Sequence, residues 1–217
     1  MEKILIISIF ISGTLSDSFG NGGYEKAMSS TIKALYQAET VTDFQSTANT
    51  FERIGATEND KWLPYYYSAY SYIMMSAVEE DKSLIDGYLD RAEVQLNRSD
   101  QRGGDQVEIL VLQGFASMMR IGVEPASRGQ EYSMQSATFL QKAQQLDATN
   151  PRVMLMMGQL QYGTAQFLGS STEEACSIFR TAIEYFDKES GGEPGLLPTW
   201  GKPQAMAMLK KCSQTTK

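Results

Sequence analysis

The stretch Met134–Tyr162, MQSATFLQKAQQLDATNPRVMLMMGQLQY, decides the fold. Ser136, Leu140, Ala143 and Leu146 recur three or four places apart, the spacing of one face of an α-helix, and the pattern stops at Leu146-Asp147. Asn150-Pro151 restarts it, because asparagine caps free backbone N–H groups and proline fits a first helical position that needs no N–H. Two amphipathic helices joined by so short a turn predict one junction in a stack of helix pairs. A stack of that kind is a binding scaffold with no chemistry of its own.

Working outward, the same signals recur. Downstream, the helix from Pro151 runs to Leu168-Gly169. Overlapping capping boxes in Ser170-Ser171-Thr172-Glu173-Glu174 then open a helix carrying Ala175, Phe179, Ala182, Ile183 and Phe186 on one side. A Gly/Pro-rich connection from Gly191 to Pro198 leads to a final helix over Lys202 to Cys212, placed to cover the open end of the stack. Upstream, a first pair is expected over Tyr24 to Ala38 and Thr42 to Ala56, with Thr42 and Gln45 as a capping box and Phe44, Ala48, Phe51 and Ile54 as the buried face. A second pair covers Trp62 to Val78 and Lys82 to Asn97, capped by Asp81 and buried through Ile85, Leu89, Ala92 and Leu96. The third opens near Asp105 and carries Val107, Leu110, Val111, Gly114 and Met118. Its partner follows a loop expected over Gly122 to Gln130, where Pro125 and Gly129 fall.

Aligning the second helices puts a bulky residue at Phe51, Leu89, Leu140 and Phe179, with Ile54, Ala92, Ala143 and Ala182 three places later. Gly114 and Gly158 supply close approach in the first helices. On these residues the chain resembles the tetratricopeptide repeat family. The fourth unit fits best, through Gly158, Ala175, Phe179 and Ala182. The spacing exceeds the family's unit of about 34 residues, and Ala148 stands where the repeat usually ends in proline. FERIGATENDKWLPYYYSAYSY, EILVLQGFASMM and LDATNPRVMLMMGQLQYG, with the tail around Cys176, Trp200-Gly201 and Cys212, also resemble short exported repeat proteins of Gram-negative bacteria. The resemblance implies an all-α, TPR-like superhelix of about four degenerate helix pairs plus a C-terminal capping helix.

Composition narrows the function. Lys and Arg number 19 against 26 Asp and Glu, a net charge of −7, which repels phosphate backbones and argues against nucleic acid as a partner. The chain has no histidine, which removes the commonest general base and metal ligand, and only two cysteines, so no enzyme, metal site or cofactor is expected. The opening MEKILIISIFISGTLSDS has the order of an export signal: Lys3, an apolar run from Ile4 to Ile11, then small polar residues. The run is shorter than the roughly 20 apolar residues that span a bilayer. Residues 1–18 are therefore expected to be a signal peptide and 19–217 a repeat domain, periplasmic or secreted, with no stable membrane insertion.

Two features carry the site expectations. Trp62-Leu63-Pro64-Tyr65-Tyr66-Tyr67, continued by Tyr70 and Tyr72, places aromatics around most of one helix, more than a single buried face requires. Trp62, Tyr65, Tyr66 and Tyr70 are thus the expected partner-binding residues, lining a concave groove for a protein or peptide segment. The different-class alternative is a soluble carrier enclosing a small apolar or aromatic ligand. Cys176 and Cys212 either bridge the last full helix pair to the terminal helix or stay as two buried thiols. The methionine-rich first helices, with Met74, Met75, Met118, Met119, Met154, Met156 and Met157, read as core.

Overall fold

The computed structural model describes residues 21–189 and 195–215; the expected signal segment, residues 1–18, lies outside them, as does part of the Gly/Pro-rich connection. The described residues form nine α-helices and no strand: α1 (Asn21–Tyr36), α2 (Val41–Thr57), α3 (Leu63–Val78), α4 (Lys82–Asp100), α5 (Gln106–Val123), α6 (Pro125–Leu146), α7 (Pro151–Leu168), α8 (Glu173–Glu189) and α9 (Lys202–Thr215). None is long and apolar enough to cross a membrane.

Most ends follow local chemistry. Asp81 accepts from the Ser83 N–H, Asp105 from Val107 and Glu108, and Asn150 from Arg152 and Val153 ahead of Pro151. Gly169 closes α7 in the left-handed region at φ 64°. Two expectations are corrected. The capping box of α2 is built by Thr40 and Asp43 rather than Thr42 and Gln45. The segment expected as a loop from Gly122 to Gln130 is helical: α5 continues to Val123 and α6 begins at Pro125, leaving only Glu124 between them. Proline at the first turn is compatible with a helix start, and Gly129 lies where a side chain would meet nothing.

The helices form four antiparallel pairs and a ninth helix, an all-α superhelix. Each helix packs on the next in sequence. In addition α1 packs on α3, α3 on α5, α5 on α7 and α7 on α9, whereas the backbones of α2, α4, α6 and α8 stay apart and meet only through long side chains such as Gln95–Glu52 and Arg128–Asp86. Direct packing among first helices makes their side the shorter one, so the array curves with them on its inner wall. Close approach within the pairs depends on glycine. A Cβ on Gly114 would stand 2.9 Å from Leu140, and one on Gly158 2.7 Å from Phe179. The expected stripes are buried, except that Val107, Leu110, Met118 and Ile183 are half-buried and Leu146 is exposed, because it ends α6 at the edge of the stack.

Two charge systems tie the layers, the first partly exposed and the second buried. Arg120 on α5, with little of its side chain exposed, reaches Asp86, Asp90 and Glu93 along α4, and Arg128 on α6 joins Asp86. Between α5 and α7, Arg152 Nε donates to Glu108 Oε1 at 2.8 Å, both side chains at 5% exposure or less.

Candidate functional site

Helix α3 shows why the expected groove is filled. Twelve of its residues are buried, on every side. Its outer faces pack on α2 and α4. Its inner face is covered by the chain's own return segment, residues 195–201, which lies across the inner wall before α9 begins. Tyr67 Oη donates to the Leu196 carbonyl at 2.8 Å, and the Thr199 N–H donates to Tyr36 Oη at 3.2 Å. Trp200, 4% exposed, stacks on Tyr70 at 4.7 Å between centroids and on Phe115 at 6.3 Å.

At the centre of this plug is a polar network. Trp200 Nε1 donates to Tyr66 Oη at 2.8 Å, and Tyr66 Oη donates to Glu108 Oε2 at 2.8 Å. Glu108 Oε1 also accepts from Asn150 Nδ2 at 2.9 Å and from Arg152, whose far nitrogens reach Glu189 on α8. One carboxylate on α5 therefore collects donors from α3 and from the start of α7 and, through Tyr66, orients the indole that closes the inner wall. Burial pushes the Tyr66 hydroxyl well above its ordinary value, and the Glu108 charge adds to the shift.

The partner-binding expectation is corrected accordingly. Tyr65, Tyr66 and Tyr70 are core residues: Tyr65 donates to the Gly55 carbonyl at 2.6 Å beneath the Arg102 guanidinium, and the other two hold Trp200. Trp62 alone reaches the surface, edge-on to Tyr66. It lines a groove of about 290 Å³ with Tyr24, Glu25, Asp60, Lys61 and Leu63. The excess aromatics on α3 are consumed by the return segment, which local periodicity cannot place.

The larger cavity lies elsewhere, between α8 and α9. It measures about 890 Å³, inside the range of roughly 300–1,000 Å³ usual for small-molecule sites. Cys176, Arg180 and Ile183 stand at i, i+4 and i+7 on α8 and form one wall. Met206, Leu209 and Lys210 on α9 form the other, and residues 170–173 close one end. Cys176 and Cys212 are joined across it, so that the bridge is part of the lining. The lining mixes the apolar Ile183, Met206 and Leu209 with the hydroxyls of residues 170–172, two cations and the single carboxylate of Glu173. Among the described residues no cluster of histidine, cysteine, aspartate or glutamate could hold a metal ion.

No protein-family model and no curated protein matches the chain. Among solved structures, the HusA haemophore from Porphyromonas gingivalis superposes with a TM-score of 0.79 at 29% sequence identity, over 92% of this chain and 98% of HusA. The chain is similar to a haemophore. The likeness extends over nearly all of HusA.

Proposed function

We propose that the protein is an exported, non-enzymatic carrier of haem or a related tetrapyrrole, held in the cavity between α8 and α9. The observation that carries the reading is the similarity to HusA over 98% of that protein's length. A tetrapyrrole is a flat apolar disc with carboxylates on its rim. Ile183, Met206 and Leu209 offer the apolar contact, and Arg180 and Lys210 offer cations for the carboxylates. The filled inner wall favours this carrier over a peptide-binding groove, since Trp200 and residues 195–199 stand where a peptide would lie. The repeat itself we assign to a degenerate tetratricopeptide type on Gly158, Ala175, Phe179 and Ala182. The signal-like residues 1–18 and the carrier role together support export.

The composition constrains how cargo is held. Haem iron in proteins is ligated by His, Cys, Met or Tyr; this chain has no histidine, and its cysteines are bridged. Methionine is the remaining ligand type lining the cavity, through Met206. Face contact and rim charge should then supply most of the affinity, and metal-free protoporphyrin should bind within about tenfold of haem, a difference of about 1.4 kcal/mol. Titration of the purified protein with each, followed by porphyrin absorbance and fluorescence, tests this. Saturable one-to-one binding, weakened at least tenfold by Arg180→Glu with Lys210→Glu, supports the site. No saturation by either porphyrin overturns the carrier.

A further inference from the structure

We infer that the Cys176–Cys212 bridge is a redox latch on the cargo cavity, so that reduction releases what oxidation holds. This rests on the carrier reading and adds its regulation. The geometry makes α9 a wall that is tied down near both ends. At its start, Trp200 is sealed in the inner wall and Gly201, at φ +118°, passes so near Phe186 that a Cβ would stand 2.5 Å from the ring. Toward its far end the covalent attachment is the bridge to α8, beside Met208 and Leu209, which pack partly buried against the core. Between them, α9 packs on α8 and touches α7, and Gln204 in its first turn hydrogen-bonds Tyr70 on α3. The Lys202–Asp187 ion pair is partly exposed and near the start, where it adds little and does nothing for the far end. Ala205 is the residue of α9's first turn that is fully buried, while Met206, Leu209 and Lys210 turn toward the cavity.

Those three residues and Cys212 supply one side of the cavity. A freed C-terminal half of α9 can swing about its anchored start, and the cavity then keeps only its α8 side. The chemistry is ordinary thiol–disulfide exchange with a dithiol reductant. A thiolate of the reductant attacks one sulfur of the bridge and expels the other cysteine as a thiol. The reductant's second thiol then resolves the mixed disulfide and frees the first cysteine. Two electrons and two protons pass to Cys176 and Cys212, and the reductant closes into its own disulfide. Because both cysteines line the cavity, the coupling must be reciprocal: cargo that binds the bridged form better also holds the bridge closed.

The test measures metal-free protoporphyrin affinity by fluorescence for the oxidised protein, the protein reduced with dithiothreitol, and Cys176→Ser with Cys212→Ser. Helical ellipticity is recorded on each. The expected result is at least tenfold weaker binding in the reduced and double-serine forms, with no more helix lost than the 14 residues of α9. Saturating porphyrin should shift the dithiol–disulfide equilibrium by the same factor, about 30 mV per tenfold. Equal affinity in oxidised and reduced forms overturns the latch and leaves the carrier standing. Global loss of helix on reduction also overturns it, since the bridge would then be holding the fold. Failure of the oxidised protein to bind porphyrin overturns both.

Discussion

Glu108 shows how one residue can be misread from its neighbours. Three places after Asp105, it looks like half of a capping box, and Asp105 does cap α5. The Glu108 side chain instead turns inward to Tyr66, Asn150 and Arg152, all three more than 40 residues away. No local pattern shows this. Arg152, buried just inside a helix start, was the one available hint that a carboxylate waits opposite. Replacing one partner of a buried pair leaves the other charge uncompensated, which costs about 3–5 kcal/mol. Glu108→Gln should therefore lower unfolding free energy in urea by about that amount, with Arg152 keeping only Glu189. A loss under about 1 kcal/mol would show that water already shares the network.

At the scale of the element, helices were legible wherever their end signals are local: Asp81, Asp105, Asn150-Pro151 and Gly169 all stand where the sequence puts them. The start of α2 was ambiguous because Thr40 and Thr42 both precede an acceptor three places on. The structure uses Thr40, whose hydroxyl accepts from the Asp43 N–H at 3.2 Å while Asp43 accepts from the Thr40 N–H at 3.1 Å. Thr40→Ala should cost about 1 kcal/mol and Thr42→Ala less than about 0.5 kcal/mol, read from thermal melts. Equal effects would reassign the cap. The start of α6 was missed because Glu124 makes no side-chain cap, so Pro125 lacked the asparagine that marks Pro151. The irregular spacing of the third unit follows, since α6 has 22 residues against 17 in α2 and in α8.

For the whole molecule, the layered array could be read from periodicity, but its closed inner wall could not. The contacts that close it join residues more than 120 apart. The α8–α9 cavity was equally hidden, because it depends on where the terminal helix docks. The buried tyrosines have a collective consequence. Burial holds the Tyr66, Tyr67 and Tyr70 hydroxyls above their ordinary range, and burial with the Glu52 hydrogen bond pushes Tyr72 up to about 12. In the unfolded chain these groups ionise near pH 10. Above that the unfolded chain binds fewer protons than the native one, so stability is complete below about pH 10 and falls as pH rises through the native values. Tyrosinate absorbance from the buried set should then appear together with helix loss in one alkaline transition. Full tyrosinate signal ahead of helix loss would mean that these hydroxyls open to solvent in the native state.

The segment at 195–201 also bears on how the chain comes into being. A polypeptide emerging N-terminus first completes α3 some 120 residues before Trp200 is made, a delay of roughly 6–24 s at about 5–20 residues per second. Through that interval the tyrosine face of α3 has helices behind it and nothing in front. The nascent array is therefore sticky on its inside until its last few turns arrive, and a holdase chaperone should recognise it there and lose its grip once the indole seats.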